Sequence, residues 1–433
     1  MTKHLNRIDI ILACLLAILP TLGYYKSPIL FSSLSTLVEM LILLIIIGKI
    51  LFSFFHYKIN SSIALLCIFV IWMILRTLIS VVTPYGRNYS FNALIVVLIN
   101  AFLLVYLSES KEICCIFFRI YVFLACFFVL LYVIQFISFY VFSFSLSIKL
   151  PFELSEEYLS QYDYSGLILN NAQFSALFSE KAHFCQYVLP LQAIILSRKD
   201  FKRGYFFATL LTVIIISTAS GNGIIGSLVI WFVFLIQGTF SKKKVSVRVL
   251  VLVVFAFISV ITIHIVLLRI SPQYVGTIES LLSPFESRDS KAAYRIFRGA
   301  AAFKEFPLIK KILGVGYRQY TGFSIKNGIS TIYDKVGVLS EYFSAFFQVL
   351  LYFGIVGLTI VVYLLYKVFC KSDSCGKMLL IVYCALCISS SIFFEANCVL
   401  YFTLIFAASF KSAEGFESSE AHEMNDSKLA ELY

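Results

Sequence analysis

The sequence has 433 residues, of which 60% are apolar or aromatic and only 14% are charged. A soluble domain carries about 25% charged residues and needs a polar surface around its core. The composition therefore excludes a soluble enzyme, a disordered chain and a disulfide scaffold. Because the apolar residues form long runs rather than the alternating pattern of barrel strands, the sequence predicts an all-α, polytopic integral membrane protein.

A helix of about 20 apolar residues crosses the hydrocarbon core of a bilayer. The apolar runs predict twelve transmembrane helices, at residues 8–24, 34–53, 61–82, 91–107, 118–141, 183–197, 205–219, 222–238, 249–268, 339–366, 378–394 and 397–410. The resulting segments are 1–141 with helices 1–5, a first large loop at 142–182, 183–268 with helices 6–9, a second large loop at 269–338, 339–410 with helices 10–12, and a polar tail at 411–433. Connections of this length are usually functional. Both large loops are expected to contain short helices.

The net charge of +11 indicates how the helices are oriented in the membrane. Cations are dense in the short segments 198–204, 239–248 and 367–377, whereas 142–182 carries only Lys149 and Lys181. Short loops rich in lysine and arginine stay in the cytoplasm. We therefore expect both termini in the cytoplasm and both large loops outside. Since no soluble basic domain exists, we expect no nucleic-acid partner.

The second large loop contains cations at helical spacing. Four of them are separated by 3, 4 and 3 residues: Arg288, Lys291, Arg295 and Arg298. They share one face of a predicted helix that ends before Pro307. One interpretation is a basic helix lying on anionic headgroups. The other is a diphosphate site, because guanidinium groups bind phosphate oxygens in pairs and stay charged.

Two charged residues fall inside predicted membrane helices. Glu39 lies in the second helix and Arg76 in the third, each roughly 7–9 Å from the outer end at 1.5 Å per residue. A charge at this depth costs on the order of 3 kcal/mol unless it is paired or solvated. The two residues are therefore expected either to form an ion pair or to leave Arg76 facing an outward cavity, where it contacts an anionic lipid substrate.

An acid–base pair is predicted at the outer end of the sixth helix. Glu180 and His183 are three residues apart, so their side chains share a helical face. They could act as a general base and its partner, although a structural or capping role for Glu180 is the alternative. No carboxylate–histidine motif indicates a metal, and no cofactor is expected.

Two segments carry a resemblance to a known family. Residues 171–183 resemble an F-x-E-P-x-x-x-A approach to a mid-chain helix, with Lys181 in place of the proline. Residues 295–316 contain Pro307 and the G-x-G of Gly314 and Gly316, and a later helix contains Gly354 and Gly357. The pair Arg288 and Gly299 also fits an R-x₁₀-G spacing. With the many helices and the late second loop, these features are similar to the O-antigen polymerase (Wzy) family, within the O-antigen ligase and polymerase superfamily.

The resemblance implies a glycosyltransferase of the bacterial inner membrane. Its substrates would be oligosaccharide repeat units on undecaprenyl diphosphate, joined at the periplasmic face without a metal, and a chain-length regulator is a candidate partner beside membrane lipids. The catalytic candidates are then Glu180, His183 and Arg295. The diphosphate-binding candidates are Arg288, Lys291, Arg295, Arg298 and Arg76.

Two alternatives remain. An O-antigen ligase would transfer the glycan to lipid A-core, but ligases carry a histidine after the large loop, and residues 265–421 contain none. A flippase or transporter would have short loops, so the two long loops favour an enzyme.

Overall fold

A computed structural model describes residues 7–23, 25–27, 33–53, 61–82, 89–142, 144, 146, 150–153, 175–178, 180–197, 203–218, 220–240, 291–329 and 343–410. This part of the chain is almost entirely helical and contains no β-strand. The all-α prediction is therefore confirmed for the described residues. Arg288, most of the first large loop and the tail 411–433 lie outside them.

The described helices are α1 (Arg7–Ile18), α2 (Leu34–Ser53), α3 (Ser61–Val82), α4 (Tyr89–Glu109), α5 (Lys111–Tyr140), α6 (Lys181–Ser197), α7 (Gly204–Ser217), α8 (Gly221–Phe240), α9 (Lys291–Glu305), α10 (Leu308–Leu313), α11 (Tyr320–Asn327), α12 (Ala345–Lys371), α13 (Ser374–Ser389) and α14 (Ala396–Phe410). Short 3-10 turns lie at Leu19–Thr21 and Ile392–Phe394.

Helices occupy eleven of the twelve predicted membrane segments, and the segment 249–268 lies outside the described residues. Among the described helices, four are long and apolar enough to cross a membrane: Leu34–Leu51, Ser62–Ser80, Lys111–Tyr140 and Ala345–Lys371. Shorter apolar helices include Gly204–Ser217, Ser374–Ser389 and Ala396–Phe410. A membrane protein is thus supported, while the number of crossings and their orientation remain predictions.

Helix α6 is the central helix of one half of the bundle. It packs against α5, α7, α8 and α13, and most of its side chains are buried. Polar side chains join it to its neighbours, since Gln192 donates to Thr212 Oγ1 at 2.7 Å and to Ser227 Oγ at 2.9 Å. Such interhelical hydrogen bonds hold apolar helices together where the hydrophobic effect cannot. Helix α6 therefore has a fixed position among its neighbours.

Part of the second large loop packs back against α3 and α12. Helix α12 is broken at Gly354, which has φ 68°, and the break frees two carbonyl groups. Val315 N donates to Leu351 O at 3.0 Å, and Gly316 N donates to Tyr352 O at 2.8 Å. Non-helical backbone at membrane depth is stable only where protein groups satisfy it. The sequence predicted only that residues 308–317 belong to the second large loop. In the structure they pack between α3 and α12, and we call them the wedge.

The close packing of the wedge predicts that replacing one of its glycines by alanine lowers the stability of the protein strongly. A Cβ atom on Gly314, at φ 74°, would lie 2.2 Å from the carbonyl oxygen of Tyr352. Gly328 has a similar φ of 63°, but no heavy atom lies within 4 Å of its Cβ position. We expect Gly328→Ala to lower the free energy of unfolding by about 1–2 kcal/mol, the cost of a left-handed alanine. Gly314→Ala should lower it further because its methyl group meets backbone.

The measurement is the melting temperature of the two purified variants in one detergent. Equal losses in the two variants would mean that residues 313–317 do not pack against α12 as described.

Candidate functional site

Four helices present their ends to one region of the bundle. Ser389, at the end of α13, donates to Asn222 Oδ1 near the start of α8 at 2.9 Å. Asn397, near the start of α14, donates to Gln186 Oε1 of α6 at 3.1 Å. These contacts place the ends of α13 beside the starts of α6, α8 and α14. We call the ionisable residues gathered there, Glu180, His183, Arg295 and Glu395, the polar cluster.

His183 has three charged neighbours in the polar cluster. It lies within electrostatic range of the carboxylates of Glu180 and Glu395 and of the guanidinium of Arg295. The backbone carbonyl of Glu180 accepts from the amides of His183 and Phe184 at 3.1 and 3.2 Å, so Glu180 also starts α6. Its backbone carbonyl begins the helix, and its carboxylate lies within electrostatic range of the imidazole.

Glu395 is a member of the polar cluster that the sequence analysis did not select. Its carboxylate accepts from the hydroxyl of Ser391 at 2.6 Å, and its backbone carbonyl accepts from Cys398 N at 2.9 Å at the start of α14. The signal in the sequence was a lone acid between two long apolar segments, on the same predicted side of the membrane as Glu180 and His183. An acid at that position lies close to the ends of several helices.

Arg295 links the second large loop to the polar cluster. It lies on α9, and its Nη1 is 3.4 Å from the carbonyl oxygen of Ser389 at the end of α13. The next turn of α9 carries Gly299, where a Cβ atom would lie 2.4 Å from the ring of Phe347. The absence of a side chain at Gly299 thus lets α9 approach α12 closely. That close packing fixes the position of Arg295 beside the cluster.

The cationic face of α9 points into the protein. Arg298 is fully buried, and its guanidinium lies over the ring of Phe343, 4.8 Å from the centroid. Phe297, on another side of α9, is 55% exposed. This orientation is the reverse of a basic helix that rests on headgroups. Arg298 therefore packs inside the protein, and its guanidinium is not exposed to a diphosphate. The side chain of Lys291 and all of Arg288 lie outside the described residues.

Arg76 donates to backbone carbonyl groups rather than to the carboxylate of Glu39. Its Nε donates to Leu313 O at 2.8 Å, and one terminal nitrogen donates to Gly314 O at 2.6 Å. The predicted ion pair with Glu39 is wrong, because Glu39 lies beside Asn100 of α4 instead. The reason is local. The wedge has backbone carbonyl groups inside the bundle, and buried carbonyl groups need hydrogen-bond donors. Arg76 supplies these donors, whereas the carboxylate of Glu39 lies against α4.

Further residues of α3 hold the wedge in the same way. Ser80 donates to Val315 O, and Thr77 Oγ1 accepts from Tyr317 N at 3.2 Å. Trp72 Nε1 donates to Phe353 O at 3.2 Å, next to the break in α12. Together with Arg76, these side chains make α3 the support of the segment that follows α9.

The polar cluster has the composition of an acid–base site. An imidazole with carboxylates nearby can accept a proton and hold the resulting charge. A guanidinium close to it can stabilise an anion that forms during a reaction. Among the described residues, no three or more His, Cys, Asp and Glu side chains are grouped to hold a metal ion.

Comparison with other proteins adds no family assignment. The sequence matches no protein-family model and no characterised protein at a significant level. The functional interpretation therefore depends on the residues and on their arrangement.

Proposed function

We propose that the chain is an O-antigen polymerase that joins oligosaccharide repeat units carried on undecaprenyl diphosphate. One observation carries the proposal. Arg295, from the loop that follows the predicted ninth helix, lies within electrostatic range of His183, which has the carboxylates of Glu180 and Glu395 nearby. Three separate parts of the chain thus supply a cation, a base and two acids to one site.

The reaction is a displacement at the anomeric carbon of the donor glycan. A sugar hydroxyl of the acceptor unit forms the new carbon–oxygen bond, and the bond from the anomeric carbon to the diphosphate breaks. The bonding electron pair leaves with the lipid diphosphate. The hydroxyl proton passes to His183, whose imidazolium Glu180 and Glu395 stabilise. Positioning of the two substrates supplies the remaining rate enhancement.

The leaving group determines the role of Arg295. Negative charge increases on the diphosphate as the glycosidic bond breaks, and a fixed guanidinium stabilises this charge without a metal. Lys291 and Arg288 share a face with Arg295 in the helix that the sequence predicts, and we expect them to bind the second phosphate. Arg298 and Arg76 support α9 and the wedge, so we remove them from the diphosphate contacts.

The location of the site follows from the charge pattern of the sequence. The polar cluster lies at one end of α6, while the dense cations of 198–204 follow the other end of this helix. With those cations in the cytoplasm, the cluster faces the periplasm of a bacterial inner membrane. This is the side on which lipid-linked units would be joined, and a chain-length regulator is a candidate partner there.

Surface glycans of a deletion strain test the proposal. The wild-type gene should restore long glycan chains, and both Arg295→Ala and Arg295→Lys should leave single repeat units. Lysine keeps the charge but loses the paired donors, so we expect it to impair polymerisation almost as much as alanine. The control is Lys326→Ala, an exposed lysine on α11, which should retain long chains.

The glycan pattern also distinguishes the alternatives. Glycan absent from the core lipid would indicate a ligase, and the loss of all surface units would indicate a flippase. Full activity of Arg295→Lys with loss in Arg295→Ala would mean that the cation acts only through its charge.

A further inference from the structure

An apolar cavity of about 220 Å³ lies between α3, α4, α12 and α14. It is separate from the polar cluster, and the proposed reaction does not use it. From Ser62 to Met73 the cavity follows α3 for eleven residues, about 16 Å at 1.5 Å per residue. One leaflet of a bilayer has a hydrocarbon depth of about 15 Å, half of the 30 Å core. The cavity therefore has the length of one lipid chain.

The polar lining of the cavity is concentrated at one end. The helix ends there contribute Ser62, Ser108, Lys371, Ser372 and Ser409. The opposite end is closed by Phe393 and Phe394, with Phe69 in edge contact with Phe393 at 6.1 Å between ring centroids. Asn100, further along the lining, lies beside Glu39 of α2. A ligand that fits this pattern has one polar end and one long apolar chain.

The charge at the polar end identifies the polar group as an anion. Lys371 is exposed at the end of the cavity, and Lys367 and Lys377 lie near it on α12 and α13. Both neighbours rest on aromatic rings, Lys367 over Tyr363 at 5.3 Å and Lys377 over Phe369 at 5.5 Å. Lys371 is thus the cation of the cavity lining, which contains no acidic residue.

We infer that this cavity binds one chain of an anionic phospholipid, with the phosphate at Lys371. The lipid belongs to the leaflet on the cation-rich side of the bundle, opposite to the polar cluster. It fills the space between α3 and α12, the two helices that hold the wedge. A bound lipid would thus stabilise the two helices that support the wedge.

Native mass spectrometry of the purified full-length protein tests the inference. The probes are phosphatidylglycerol and phosphatidylcholine with identical acyl chains. We expect one phosphatidylglycerol per protein, held about fivefold more tightly than phosphatidylcholine, the factor that one lysine at an anionic surface supplies. Lys371→Gln should remove this preference, while the matched control Lys367→Gln, a lysine outside the cavity lining, should keep it.

A second variant tests the cavity itself. Ala101 lines the cavity and is half-buried, so Ala101→Phe should reduce retention of both lipids at least tenfold. Size-exclusion profiles identify any variant that fails to fold, and the Lys371→Gln result stands independently of that outcome. Equal retention of the two lipids by the wild type would overturn the inference. So would unchanged retention in folded Ala101→Phe, or selective retention of a prenyl lipid.

Discussion

His183→Ala is expected to lower the rate of glycosyl transfer by about 10²–10⁴-fold, the usual contribution of a general base. The imidazole is the group in the polar cluster that has carboxylates nearby and a guanidinium within range. Glu180→Gln and Glu395→Gln should each have a smaller effect, because the other carboxylate still stabilises the imidazolium. The measurement is the rate of chain extension at matched protein amounts.

The control for these variants is Glu305→Gln, an exposed acid at the end of α9. It removes a carboxylate from the same loop without touching the cluster, so its rate should equal that of the wild type. Wild-type rates in His183→Ala, with Glu180→Gln and Glu395→Gln also active, would place the chemistry outside the polar cluster.

Arg76→Leu is expected to destabilise the protein by several kcal/mol. The substitution leaves the carbonyl groups of Leu313 and Gly314 without their donors inside the bundle, and each such group costs about 1–3 kcal/mol. Native proteins have only about 5–15 kcal/mol of net stability, so this loss is a large fraction of it. Arg76→Lys should retain part of the stability because one ammonium can donate to one of the carbonyl groups.

The measurement separates a structural role from a catalytic one. The amount of monodisperse protein and its melting temperature should fall, while the specific activity of the folded fraction stays near that of the wild type. Arg119→Leu, which removes an exposed guanidinium from α5, is the matched control and should change neither quantity. A stable Arg76→Leu protein without activity would return Arg76 to the substrate site.

The positions of the helices could be predicted from the sequence because hydrophobicity is a local property. The third segment, 61–82, coincides with α3 (Ser61–Val82), and the sixth differs from α6 (Lys181–Ser197) by two residues at its start. Glu180 and His183 could be selected for the same reason, since their spacing is local and they precede an apolar segment. These predictions needed no knowledge of how the helices pack.

The wedge could not be predicted, because it depends on contacts between distant parts of the chain. Arg76 and Leu313 are 237 residues apart, and no pattern around either residue specifies the other. The G-x-G of Gly314 and Gly316 allows the backbone to approach a partner closely, but it does not indicate that the partner is α12. Long-range pairings of this kind are determined by the packing of the whole bundle.

The orientation of α9 also could not be predicted from the sequence. Helical periodicity shows that Arg295 and Arg298 share a face, but not whether that face is buried. In a membrane protein an apolar side chain such as Phe297 can face outward, so the usual rule for soluble proteins gives the wrong side. Glu395 was missed because its importance lies in its neighbours from α6 and α9, which are distant in the sequence.

The most direct test of the central claim is polymerisation by the purified protein in liposomes. The substrate is the undecaprenyl-diphosphate-linked repeat unit, extracted from the deletion strain, and a chelator removes divalent metal ions. We expect a ladder of products that differ by one repeat unit, with one lipid diphosphate released for each bond formed and no ladder from His183→Ala. A wild-type protein that yields only the input unit, or that transfers glycan only when lipid A-core is added, would contradict a polymerase.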